Sequence, residues 1–272
     1  MQRALAAASA LFFIPMKLKD KVVVITGASS GIGKELAFQF AGLGSKVVLA
    51  ARNARALEEI AGQINSSGGS ALACPTDVSK RGPVESLARA AYEKFGRLDI
   101  FIHNAGISHP DVPLTDLKEE DVRKVMETNF MGGIYSVWAA VPYLEKAGGG
   151  QLVMVTSIIG KIGVPQDSIY CASKFALQGM AQAIRAELKG KNIRVITVCP
   201  PGVDTPFFAN NNRGTSRKYR LHPVGKIARM IVKACLREKR EVLLTMDAKL
   251  LHYLNFFFPR FLDWAVSRFK ER

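Results

Sequence analysis

Seven residues near the start of the chain constrain it most. Gly27-Ala28-Ser29-Ser30-Gly31-Ile32-Gly33 follows the continuous β-branched run Lys21–Thr26 (KVVVIT) and leads into Lys34–Leu43, which reads as a helix. A buried strand feeding a glycine-rich turn and then a helix is the opening of a parallel α/β sheet. The spacing is GxxxGxG. Glycine lets backbone turn sharply and approach a bound group closely, and N–H groups at a helix N-terminus favour an anion. That chemistry suits a pyrophosphate, so Thr26, Gly27, Ser29, Ser30, Gly31, Ile32 and Gly33 are candidate dinucleotide contacts.

Strand-like and helix-like stretches alternate from there. Further strands are predicted at Lys46–Ala51, Ala71–Pro75, Leu98–His103, Gln151–Ser157, Ile193–Cys199 and Glu241–Thr245. Helices are predicted at Ala54–Asn65, Pro83–Phe95, Glu119–Glu145 and Ser168–Lys189. Continuous apolar strands separated by helices predict a single doubly wound, Rossmann-type α/β domain, its seven-stranded parallel sheet flanked by helices. Residues 20–246 are expected to form this catalytic domain. An apolar extension at 1–19 precedes it, and a basic amphipathic helical tail at 247–272 follows.

Charge adds a second constraint. The 272 residues carry a net charge of +15, and Arg213–Arg272 holds 15 basic against 5 acidic residues. A basic segment can meet nucleic acid, anionic lipid or an acidic partner. No nucleic-acid motif accompanies the charge, so nucleic-acid binding is not expected. Cys74, Cys171, Cys199 and Cys235 lack CxxC spacing and read as reduced thiols of a cytoplasmic protein, and no metal site is expected. The run Ala4–Met16 is too short to span a bilayer. It reads as a short surface or membrane-touching helix or an over-long start, with a signal peptide as the alternative.

The ends of the strands are where an open α/β sheet binds ligands. An acidic residue closing the second strand would bond the ribose hydroxyl of NAD; this chain has Ala50-Ala51-Arg52-Asn53. Arg52 presents a planar charged fork suited to a 2′-phosphate, with Arg55 nearby, so the expected cofactor is NADP(H). Asp77 and Val78 after the third strand, and Asn104, Ala105 and Gly106 after the fourth, are further candidate contacts.

Tyr170 and Lys174 are four apart and share a helix face. A tyrosine with a pKa near 10 is a poor base, and a neighbouring ammonium is expected to lower it. Bringing it near neutrality asks for roughly 3–4 kcal/mol. Ser157, at the end of the fifth strand, can bond a substrate carbonyl oxygen. Asn129, inside the long helix, is read as holding a water between Lys174 and solvent, or else as a satisfied helix-interior amide.

The elements TGASSGIG at 26–33, NAG at 104–106, Asn129, Ser157, YCASK at 170–174 and Pro201-Gly202 together resemble the short-chain dehydrogenase/reductase family over nearly all of Lys21–Thr245. Within it, VMETNF at 125–130, SIIGKIGVP at 157–165 and REVLLTMDAKLL at 240–251 are similar to the dehydrogenase/reductase member 7B group. The resemblance implies a hydride-transferring enzyme with Ser157, Tyr170 and Lys174 as its triad, aided by Asn129. It implies that Tyr170 and Lys174 also meet the cofactor, that Pro201, Gly202, Val203 and Thr205 lie beside the nicotinamide, and that the protein is a homodimer or homotetramer. His103 stands where the family usually has asparagine, which is expected to perturb the floor of the cofactor cleft. An extra proline, Pro200, is expected to reset the substrate loop.

The expected reaction is hydride transfer between NADP(H) and a ketone or alcohol, the substrate being a small molecule of apolar or lipid-like character. The rival reading is a nucleotide-binding scaffold or sensor without turnover. Asp204–Leu221 covers the expected substrate lid, with Phe207 and Phe208 facing substrate or packing. In the tail, Leu250, Leu251, Leu254, Phe257, Phe258, Phe261 and Leu262 fall at helical spacings, with Pro259 breaking or kinking the run. The tail is read as a peripheral membrane contact or as packing against a partner subunit or this domain.

Overall fold

A computed structural model describes residues 17–207 and 221–270. Most of the N-terminal apolar stretch, Phe208 and the polar run Asn210–Ser216 lie outside the described residues. Seven strands form one sheet in the order β3-β2-β1-β4-β5-β6-β7. They are β1 (Val22–Thr26), β2 (Lys46–Ala51), β3 (Ser70–Pro75), β4 (Ile100–His103), β5 (Gly150–Val155), β6 (Ile193–Cys199) and β7 (Glu241–Leu243). All neighbours run parallel. The order reverses between β1 and β4, which opens a crevice at their carboxyl ends.

Every residue of β1 is fully buried, because helices cover both faces. Val23 and Ile25 point to one face, under α1 (Gly31–Gly42), α2 (Ala54–Ser66) and α7 (Val224–Leu236). Val22 and Val24 point to the other, under α3 (Arg81–Phe95), α5 (Gly132–Lys146) and α6 (Ser168–Glu187). This two-sided burial explains why the strands read as unbroken apolar runs. Helix α7 is absent from the sequence expectation, where its basic residues draw attention from its apolar face. Ile227, Ala228, Ile231, Val232 and Cys235 recur at helical spacing and are buried.

Two expected elements are reshaped. The single helix predicted over Glu119–Glu145 is α4 (Glu119–Met126), a π-turn at Glu127–Met131, and α5. The fifth strand stops at Val155, and Ser157 instead caps a 3-10 turn at Ile158–Gly160. After β7 come α8 (Met246–Phe257) and α9 (Pro259–Lys270). The run breaks as expected: α8 ends at Phe257, and Pro259 opens α9 at the first helical position, where its missing N–H is harmless. No helix among the described residues is long and apolar enough to cross a membrane. None of the four cysteines is in a disulfide among the described residues; Cys74 is half-buried and the others are buried.

The end of the sheet remote from the crevice is locked by Asp99. Its carboxylate accepts from Lys21 Nζ (2.8 Å), from Arg97 Nη2 (2.6 Å) and Nε (2.7 Å), and from the Val22 N–H (3.0 Å). Burial alone would raise its pKa, but these bonds from Arg97, Lys21 and Val22 hold it below the usual carboxylate value. A depressed folded pKa contributes stability above the unfolded pKa near 3.8 and loses it as pH falls through the folded value. Asp99→Asn should therefore cost about 2 kcal/mol near neutral pH. Denaturant unfolding should show that penalty shrinking in acid; a penalty independent of pH would contradict the assignment.

Candidate active site

The glycine turn is dictated by backbone contact. Gly27 has φ +68° and Gly31 +53°, conformations that favour glycine. A Cβ at Gly33 would lie 2.2 Å from the Gly27 carbonyl oxygen, so no larger residue fits without moving the turn. Asn104 braces it from β4: its side-chain N–H donates to the Thr26 carbonyl (2.9 Å), and the N–H groups of Asn104 and Ala105 both donate to the Thr26 hydroxyl (3.0 Å each). Asn53 caps α2 by accepting from the Ala56 N–H (3.1 Å), and Asp77 accepts from the Ser79 N–H and hydroxyl.

These groups surround one cavity of about 960 Å³. Of the expected contacts, Gly27, Ser29, Ser30, Gly31, Ile32, Arg52, Asn53, Asp77, Val78, Asn104, Ala105, Gly106, Pro201, Gly202, Val203 and Thr205 line it, together with Ser157, Tyr170 and Lys174. Thr26, Gly33 and Asn129 do not line it and sit behind its wall. Arg52 is exposed at the cavity rim. Arg55 is not in the wall; it pairs with Glu59 one helical turn on (3.0 Å).

At the other end, the Ser157 hydroxyl stands beside the Tyr170 phenol and favours its ionised form. Lys174 is 3% exposed, and its ammonium donates to the Val155 carbonyl (3.0 Å) and lies 5.6 Å from the Tyr170 ring centre. Room for it comes from glycines: a Cβ at Gly106 would be 3.3 Å from Lys174 Nζ, and one at Gly160 3.0 Å from Lys174 Cβ. The expected lowering of Tyr170 is corrected here. Burial pushes the phenol above its ordinary value, and the Ser157 hydrogen bond opposes this only in part. The low-dielectric surroundings act on the lysine too, holding it down to about 8.

Asn129 uses its side chain on the protein. Its Oδ1 accepts from the Ile107 N–H (2.8 Å), and its Nδ2 donates to the Ile107 carbonyl (2.9 Å) and to Ser173 Oγ (3.0 Å). Both amide protons are thereby engaged, which ties the loop after β4 to the helix carrying Tyr170. His103 is corrected as well. It is fully buried and outside the cavity wall, with Nε2 3.1 Å from the Asn129 carbonyl and Nδ1 3.2 Å from Ser136 Oγ. Since a carbonyl only accepts, Nε2 carries the proton. Burial first, and then the charge of Lys174, hold the imidazole down to about 4, so it stays neutral.

The substrate-side wall was only partly legible. Phe207 meets the Tyr170 ring at 5.7 Å between centres. Ile107, Ile158, Ile159, Ile162 and Val164 also line the cavity, as do Ala248, Leu251 and Val266 from α8 and α9. Nothing local in the sequence brings those tail residues back to the crevice, because long-range chain return leaves no periodic signal.

A family model described as short chain dehydrogenase matches residues 21–216. An uncharacterized oxidoreductase of Bacillus subtilis is 37% identical over 260 residues, covering 93% of this chain and 73% of its own length. Dehydrogenase/reductase SDR family member 7B of Rattus norvegicus is 35% identical, covering 84% of this chain and 74% of its own. Among solved structures, a 7α-hydroxysteroid dehydrogenase complexed with NADH and 7-oxo glycochenodeoxycholic acid is similar. It has a TM-score of 0.74 at 31% identity, covering 80% of this chain and 89% of that one.

A buried ammonium destabilises the fold. The unfolded lysine keeps its proton up to about 10.5 and the folded one only to about 8, so stability should rise with pH across that window. Lys174→Met should remove this slope and raise stability near neutral pH by about 2 kcal/mol. Unfolding titrations of the two proteins check this, and parallel pH dependences would contradict a buried cation.

Proposed function

The chain belongs to the short-chain dehydrogenase/reductase family, and from that premise we propose that it is an NADP(H)-dependent reductase of bulky apolar ketones. The observation that carries the reading is one cavity with two chemistries, an anion-binding glycine turn at one end and a Tyr170–Ser157 hydroxyl pair over a buried lysine at the other. A cradle that a single Cβ would fill fits a pyrophosphate lying against backbone. Arg52 at the rim supports the 2′-phosphate, since its fork pairs with phosphate through two parallel hydrogen bonds. The similar steroid dehydrogenase carries NADH, so the phosphate preference rests on Arg52 and on the missing carboxylate after β2. When bound, the cofactor supplies or accepts the hydride.

The chain's own residues handle the proton and the oxygen. Tyr170, kept protonated by burial, gives its phenolic proton to the substrate oxygen as that oxygen gains negative charge. Ser157 Oγ donates a hydrogen bond to the same oxygen and steadies it. Lys174, largely cationic at neutral pH with its pKa near 8, stabilises the phenolate left behind. Asn129 acts as a positioning residue, holding the loop after β4 and Ser173 of α6 in register. Oxidation of an alcohol runs the same proton path backwards.

The wall supports the proposed substrate class. Ile158, Ile159, Ile162, Phe207, Leu251 and Val266 offer apolar surface and few polar anchors, which suits a large hydrophobic carbonyl compound. The steroid ketone bound by the similar solved structure supports the same size class.

Tyr170→Phe should lower kcat for ketone reduction by roughly a thousandfold while NADPH affinity stays within a few-fold. Undiminished turnover would sink the assignment. Arg52→Asp should weaken NADPH at least about tenfold more than NADH, because a charge-assisted fork becomes a like charge. Competition binding with the two nucleotides decides it, and an unchanged preference counts against Arg52.

A further inference from the structure

The two helices after β7 have faces with different surroundings. Ala248, Leu251 and Val266 look into the cavity. On the other side of α8, Met246, Leu250, Tyr253 and Phe257 follow a spacing that stacks them in one stripe. Phe256, Phe258, Phe261 and Trp264 extend it across the α8–α9 junction. All eight are between 53% and 77% exposed. Thirteen large hydrophobics are exposed among the described residues, so most of that surface is gathered within 19 positions of sequence, where chance would scatter it.

This face is held outward by polar ties on the inner side. Asn255 Nδ2 donates to the Lys161 carbonyl (3.1 Å), next to the turn that Ser157 caps. His222 Nε2 lies 2.9 Å from Asp247 Oδ2 at the start of α8. Leu262 and Ala248 are buried. The helix pair is therefore anchored on the catalytic domain, with its aromatic side presented away from it.

Charge selects the occupant. The chain as a whole carries +15, which draws it to an anionic surface. Lys249, Arg260 and Arg268 interleave with the aromatics and outnumber Asp247 and Asp263, and the Arg268 guanidinium sits 4.9 Å over the Trp264 ring. Aromatic rings mixed with cations on a short helix match the interface of an anionic bilayer. Neither α8 nor α9 is long enough to cross one, so the contact is peripheral.

We propose that the α8–α9 face docks on an anionic lipid surface, so that the helices completing the cavity wall rest on the bilayer from which the ketone enters. The entry route rests on the reductase reading above; the docking itself does not. The same two helices form both the docking face and part of the cavity wall, which couples lipid contact to substrate access.

The test uses full-length protein and sedimentation with vesicles of phosphatidylcholine containing about 30% phosphatidylserine, enough to give an anionic surface potential. The protein should pellet with these vesicles. Binding should fall at least about tenfold on pure phosphatidylcholine or in high salt. Phe257→Glu with Phe261→Glu, at two exposed positions outside the cavity wall, should lose vesicle binding at least about tenfold yet reduce a water-soluble ketone at the unchanged rate. The double variant should lose turnover only on a vesicle-embedded ketone. Equal pelleting of wild type and variant, or no pelleting of the wild type, overturns the proposal. So does a dimer in sedimentation velocity that the double variant abolishes, because a second copy then covers the face. Absence of turnover on every ketone by the wild type would fail the reductase reading and the entry route, while the vesicle result would still decide docking.

Discussion

A lysine ammonium donating to a strand carbonyl under nearly complete burial is the interaction around which this site is arranged. Lys174 joins α6 to the end of β5 through Val155. Charge buried in a low-dielectric interior is costly unless it is paired or does chemical work. The surroundings admit it at specific points: Gly106 and Gly160 leave space, and Asn129 holds the neighbouring loop and helix together. The same burial that lowers the lysine raises the tyrosine. A neutral phenol beside an ammonium is an arrangement for giving a proton away.

The fold was largely legible because it is written in local signals. Val22–Ile25 had to be buried on both sides, and Gly27–Gly33 had to turn where backbone meets backbone. The residues ending the strands follow from those two facts, and most of the expected contacts share one cavity. Less legible was anything set by tertiary surroundings. Helix spacing could pair Tyr170 with Lys174, yet the direction of the tyrosine's shift depends on burial, which spacing does not report. Asn129 was marked by its identity, while its partners Ile107 and Ser173 come from two other segments. His103 looked like a change in the cleft floor and is instead a buried brace on the Asn129 carbonyl.

The carboxyl-terminal helices show the same division. Their aromatic and basic composition was plain in the sequence, and their return to the crevice was not. Leu251 and Val266 line the cavity from α8 and α9, and α8 is tied to Lys161 in the loop after β5 and to His222. The active site thus draws on the whole length of the sheet, from the turn after β1 to the helices beyond β7. Stability and chemistry are partly separated in space: Asp99 locks the far end of β1 and β4, and the near end carries the buried charge.

Tyr170 thus rests as a neutral acid beside a buried ammonium. An ultraviolet difference titration of the nucleotide-free protein, wild type minus Tyr170→Phe, reads that tyrosine alone. No tyrosinate should form from it as pH passes the ordinary tyrosine value of about 10. Ionisation well below that value would show that Lys174 overrides burial and that Tyr170 is not a neutral acid at rest.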